Sequence, residues 1–69
     1  MQRQPVTSSN IAEIGYDNEL QTLEIMFKTG ISYQYFNVPK HVYEQLQNAD
    51  SVGKYFNAQI KGHFQEARL

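Results

Sequence analysis

Two stretches of the sequence carry side chains suited to ligand chemistry. Tyr33-Gln34-Tyr35 sets two phenol rings two residues apart. On a strand that spacing puts both rings on one face, where they can form a platform for unpaired bases. Ser51-Val52-Gly53-Lys54 sets a capping hydroxyl, a backbone without a side chain and a cation in a row. Free N–H groups at a helix start, the bare Gly53 and the Lys54 ammonium together suit a phosphate. Asn57 and Lys61 continue Lys54 as a polar stripe down the same helix. Seven residues therefore form a candidate RNA-contacting set: Tyr33, Tyr35, Ser51, Gly53, Lys54, Asn57 and Lys61. Each also has a plainer role. The tyrosines can sit in the core with only ring edges emerging, and Ser51 can be an ordinary cap. Gly53 can serve close packing against the preceding helix, and the lysine stripe can simply be solvated.

The other reactive side chains lack the spacing that catalysis requires. His41 and His63 are the only histidines, and neither stands in a HxxxH or HExxH pattern that would put two ligands on one helical face. Ser8, Ser9 and Ser32 have no nucleophile-elbow sequence around them. The seven carboxylates fall mostly in turns or on outward faces, whereas a catalytic pair needs burial and opposed environments. Gly53-Lys54 is no phosphate-binding loop of the nucleotide-hydrolase type, because Asn48 replaces its first glycine and Tyr55 its Ser/Thr. The expectation is a chain that is not an enzyme and needs no metal or cofactor.

The elements that must position these residues follow from hydropathy alternation. Met1–Ser9 is polar, contains a proline and reads as a flexible N-terminal arm. Ala12, Ile14 and Tyr16 alternate with Glu13 and Asp17 as a first strand, and Asp17-Asn18-Glu19 has turn chemistry. A four-residue turn pairs Ile14 with Leu23. Leu23, Ile25 and Phe27 form the apolar face of a second strand, and Ile31, Tyr33 and Tyr35 that of a third. A three-residue Lys28-Thr29-Gly30 loop pairs Ile25 with Tyr33 and Leu23 with Tyr35, with Gly30 at the left-handed position of a bulged turn. That register gathers the apolar residues on one face, and a one-residue slip would scatter them.

Pro39 suits the first turn of a helix carrying Val42, Leu46 and Ala49 at helical spacing. Asp50-Ser51 breaks it and caps a second, with Val52, Phe56 and Ile60 as its stripe and Gly62 at its end. Strands followed by helices predict an α+β fold: a three-stranded antiparallel β-meander, then two α-helices packed on one face. The expected boundaries are an arm over 1–9, one domain over 10–62 and a C-terminal tail over 63–69.

Composition sets the remaining limits. Sixty-nine residues, 41% hydrophobic and 19% charged, support one small core built on five Tyr and four Phe. A net charge of −1 lacks the strongly basic signature of a tight nucleic-acid binder. The absence of cysteine excludes a disulfide scaffold, a zinc ribbon and a thiol catalyst. No apolar run is long enough for a bilayer span, and Met1–Ser9 has no signal-peptide middle, so the expectation is a cytoplasmic chain with no membrane partner.

Taken as an ordered set, several pieces resemble a known bacterial family, the KTSC domain. They are Ile14-Gly15-Tyr16-Asp17, Leu23-x-Ile25-x-Phe27, Gly30, Tyr33-x-Tyr35, Val38-Pro39, Leu46, Ala49-x-Ser51-x-Gly53 and Tyr55-Phe56-Asn57. The family takes its name from the C-terminus of some lysyl-tRNA synthetases and also occurs as small stand-alone proteins, the form expected here. The resemblance implies the RNA-binding role suggested for that family, and it marks Tyr33 and Tyr35 as the central motif without giving them a chemical role. Two partner classes fit the residues. One is RNA, held weakly through phosphate contacts and the aromatic strand motif. The other is a protein partner or a second copy of the chain, met through Phe36, Met26 or a sheet edge.

Overall fold

The computed structural model describes all 69 residues. Its strands are β1 (Arg3–Pro5), β2 (Ile11–Asp17), β3 (Thr22–Phe27), β4 (Ser32–Tyr35) and β5 (Glu66–Arg68). They form one antiparallel sheet in sequential order, with helix α1 (Lys40–Gln47) and helix α2 (Val52–Tyr55) inserted between β4 and β5. The α+β class and the two helices agree with the sequence reading, but the sheet has five strands rather than three. Residues expected as arm and tail supply the two extra edge strands.

The physical reason for β1 lies across the sheet. Arg3 stands opposite Gly15 on β2, and its side chain crosses that glycine to reach β3, where Nε donates to Glu24 Oε1 at 2.8 Å. A Cβ on Gly15 would lie 2.9 Å from the Gln2 carbonyl oxygen and 3.1 Å from Arg3 Cγ. Gly15 is therefore the gap through which β1 closes on the sheet. At the other edge β5 pairs Arg68 with Tyr33 and Glu66 with Tyr35. Phe36 N–H donates to Gln65 O and Leu69 N–H to Ser32 O, fastening both ends of this edge.

The central register is set by two turns. Leu23 faces Tyr35 and Ile25 faces Tyr33, as the three-residue loop requires, and Gly30 adopts φ +90° with its N–H bonded to Phe27 O at 2.9 Å. The first hairpin is shifted by two residues from the expected pairing: Ile14 opposes Ile25, and Leu23 opposes Tyr16. Asp17 causes the shift. Its Oδ1 accepts from the N–H groups of Glu19 and Leu20 at 3.0 and 3.1 Å, which makes Asp17 the last strand residue and starts the turn at Asn18. A slip of two keeps every side chain on its face. The expectation for Ala12 is also corrected: a bulge between Ile11 and Glu13 puts Ile11, not Ala12, in the core.

Helix α1 starts directly after Pro39, and Asn48 closes it by donating from both its backbone N–H and its side-chain amide to Glu44 O. After Tyr55 the second helix widens into a π-helical segment, Phe56–Ile60, in which Lys61 N–H bonds Phe56 O at 2.9 Å. Leu46, Val52, Phe56 and Ile60 meet Ile11, Ile14, Leu23, Ile25, Tyr35 and Val38 as one buried core. Tyr16 stacks on Tyr43 at 4.9 Å and 11°, joining β2 to α1. No helix is long and apolar enough to cross a membrane.

Candidate functional site

Four of the seven candidate residues, Tyr33, Tyr35, Asn57 and Lys61, line one cleft of about 190 Å³ between the sheet and the π-helical segment. Its apolar lining is Phe27, Tyr33, Tyr35 and Phe56. These rings lock edge to face: Phe56 lies 5.5 Å from both Phe27 and Tyr35, and Phe27 lies 6.1 Å from Tyr33 at 81°. Tyr35 and Phe56 are each only 2% exposed and serve as the floor, while Tyr33 is half-buried at the side. The two tyrosines thus have different roles, although their spacing is that of a symmetric pair.

The cleft's polar lining is Asn10, Asn57, Lys61 and Glu66. Asn57 sits in the π-helical segment and Lys61 immediately after it, so the wide turn sets where both point. Such single turns of π-helix recur at functional sites. Glu66 comes from β5, opposite Tyr35. Burial raises the Tyr35 phenol pKa, and Glu66 adds to the rise through its charge and by accepting a hydrogen bond from the phenol.

Ser51, Gly53 and Lys54 lie outside this cleft. Ser51 Oγ accepts from Lys54 N–H at 3.2 Å and is occupied as the cap of α2. Gly53 is buried, and a Cβ there would come within 2.9 Å of Asn10 Oδ1 and 3.3 Å of Ser8 Oγ. The loop from Ser8 to Asn10 therefore covers the glycine that was read as open to a phosphate. Lys54 is exposed. Sequence reasoning missed Asn10, Phe27, Phe56 and Glu66 as lining residues. Glu66 carries no local signal, because only the pairing of β5 brings it to the cleft.

The opposite face of the sheet holds a polar network. Glu24, whose side chain is 12% exposed, accepts from Arg3 on one oxygen and from Gln34 on the other, at 2.8 and 2.9 Å. Burial alone would raise its pKa, but the hydrogen bonds from Gln34 and Arg3 and the Arg3 charge outweigh it, and the net pKa lies below the usual carboxylate value. A second, larger cleft of about 450 Å³ is lined by Gln2, Arg3, Gln4, Tyr16 and Tyr43. Most of its polar groups are already engaged: Arg3 with Glu24, the Tyr43 hydroxyl with Gln4, and the Tyr16 hydroxyl with Val38 O. No group of three or more His, Cys, Asp or Glu side chains is placed to hold a metal.

Comparison with known proteins places this geometry. A solved KTSC domain protein from Yersinia pestis superposes with a TM-score of 0.94 at 43% identity, covering 99% of this chain and 96% of that one. An uncharacterized protein of Stutzerimonas stutzeri is 43% identical over 61 residues, 88% of this chain and 86% of its own length. A lysine–tRNA ligase of Nostoc punctiforme is 46% identical over 61 residues, and there the chain spans only 11% of the relative's length. The family model of the KTSC domain matches residues 7–64. With that span and these relatives, the chain belongs to the KTSC domain family.

Proposed function

We propose that this domain is a non-enzymatic, cytoplasmic module that binds single-stranded RNA weakly through the cleft between β4 and the π-helical segment. The observation that carries the reading is the convergence of a half-buried Tyr33 ring, the Asn57 amide and the Lys61 ammonium in one cleft. An aromatic side, a hydrogen-bonding amide and a cation are the three parts a single unpaired nucleotide needs. The volume, about 190 Å³ against the roughly 300–1,000 Å³ of pockets that enclose a drug-sized ligand, suits one base with its sugar and phosphate outside. Relatives named lysine–tRNA ligase, which contain a similar segment, point in the same direction. Lys54 is exposed and precedes Lys61 on the same helical stretch, and the reading takes it as the second cation for a phosphate.

The partner reading has less support. The exposed large apolar side chains, Met1, Leu20 and Leu69, lie far apart in sequence, and Met26 and Phe36 are half-buried. With two phosphates neutralised, the log–log salt slope on a single strand would be about −1.4, so binding is best measured at low salt. The test is fluorescence anisotropy of a labelled single-stranded RNA containing all four bases with the parent protein, with Lys54→Gln/Lys61→Gln and with Tyr33→Ala. Both variants should weaken binding, the tyrosine by about 1–3 kcal/mol if a base stacks on it. Unchanged affinity in folded variants refutes the site. No binding by the parent protein at low salt refutes RNA as the ligand and leaves a protein partner or a second copy at a sheet edge.

A further inference from the structure

The cleft carries one feature that a sequence-tolerant contact does not need: opposite charges that face it without meeting. Lys61 and Glu66 both line it, yet the ion pairs of the molecule are those of Arg3 with Glu13 and Glu24, and none joins Lys61 to Glu66. The cleft between them offers from one wall a carboxylate that takes the Tyr35 hydroxyl and keeps further lone pairs on its two oxygens, and from another a cation, over a floor of aromatic rings. A carboxylate is acceptor-only and takes two parallel N–H donors, while an ammonium is donor-only and takes acceptor oxygens and nitrogens.

Among the four bases only guanine presents both halves. Its N1–H and N2 amino group form a paired donor edge for a carboxylate, and its O6 and N7 form the acceptor pair that lysine and arginine read in nucleic acids. Adenine and cytosine offer a carboxylate one amino group beside a ring acceptor, which repels it, and uracil offers a single ring N–H. Resting on the RNA reading above, we infer that the cleft selects guanine, with Glu66 reading N1–H and N2, Lys61 reading O6 or N7, and Tyr33 beside the ring. The Asn57 amide also lines the cleft and is left to the ribose or the base.

The experiment compares three labelled hexamers at low salt with the full chain: all uridine, uridine with one central guanosine, and uridine with one central inosine. Inosine keeps O6, N7 and N1–H and lacks only the N2 amino group. The parent protein should bind the guanosine strand about ten-fold more tightly than all uridine, the scale of one good bidentate base contact. Inosine should lose most of that gain. In Glu66→Gln the ratio of guanosine to uridine strands should fall toward one. Binding of all three strands with equal affinity overturns the guanine inference and leaves the RNA reading standing. Absence of binding to all three overturns both. The inosine arm needs no variant, so it decides the matter even if a change in β5 disturbs the edge.

Discussion

Arg3→Ala is a sharp test of how the N-terminal strand is held. The substitution removes the guanidinium that crosses Gly15 and donates to Glu24 at 2.8 Å, together with the stem that packs over the glycine. Glu24 then keeps only Gln34 as a partner on a side chain that is 12% exposed. A charge-assisted hydrogen bond contributes about 1.5–3 kcal/mol, and the Arg3 side chain is 27% exposed, so partial screening brings the expected loss to about 2 kcal/mol. In a domain of this size that corresponds to a fall in Tm of roughly 8–16 °C. Urea and thermal unfolding followed by circular dichroism measure it. A double-mutant cycle with Glu24→Gln should return a coupling of about 1–2 kcal/mol, because the two residues share one contact. A loss below about 0.5 kcal/mol, typical of a plain surface change, would refute the reasoning and mean that β1 frays in solution.

Phe56→Ala should cost about 3–5 kcal/mol, because a ring only 2% exposed and in edge contact with Phe27 and Tyr35 leaves a cavity under the cleft; an unchanged Tm would count against its burial. Glu24 also sets a pH dependence. Its folded pKa is lowered, so the folded state binds fewer protons than the unfolded chain in the acid range. The stabilisation is present above the unfolded carboxylate pKa and is lost as pH falls through the folded one. The parent protein should therefore lose more stability than Glu24→Gln on acidification, and parallel pH profiles for the two would contradict the network.

What was legible in the sequence was local or paired in tight turns. Gly30 demanded a left-handed backbone, and with the alternation of Leu23, Ile25, Tyr33 and Tyr35 it left one sensible register for the β3–β4 hairpin. The first hairpin slipped by two because apolar alternation is blind to shifts of two, and only the Asp17 side-chain bonds break that tie. The edge strands were illegible for a different reason. β1 is Arg-Gln-Pro and β5 is Glu-Ala-Arg, with no apolar face of their own. They are fixed by backbone pairing and by contacts such as Arg3 to Glu24, 21 residues apart. The candidate site divided in the same way. Tyr33, Tyr35, Asn57 and Lys61 could be found from types and spacing, whereas Asn10 and Glu66 reach the cleft only through tertiary pairing. Ser51 and Gly53 fall outside the cleft, and nothing local says that the Ser8–Asn10 loop lies over Gly53.

Binding of a nucleotide in the cleft, and not on the opposite sheet face, is read out by titrating the isotope-labelled protein with a short single-stranded RNA at low salt and following backbone and side-chain amide resonances. Saturable shifts are expected at Asn10, Tyr33, Asn57 and Lys61, which line the cleft, while the side chains of Arg3 and Gln34, joined to Glu24 on the far face, stay still. Shifts confined to the Arg3–Glu24–Gln34 face, or no shifts at all, would contradict binding in the cleft.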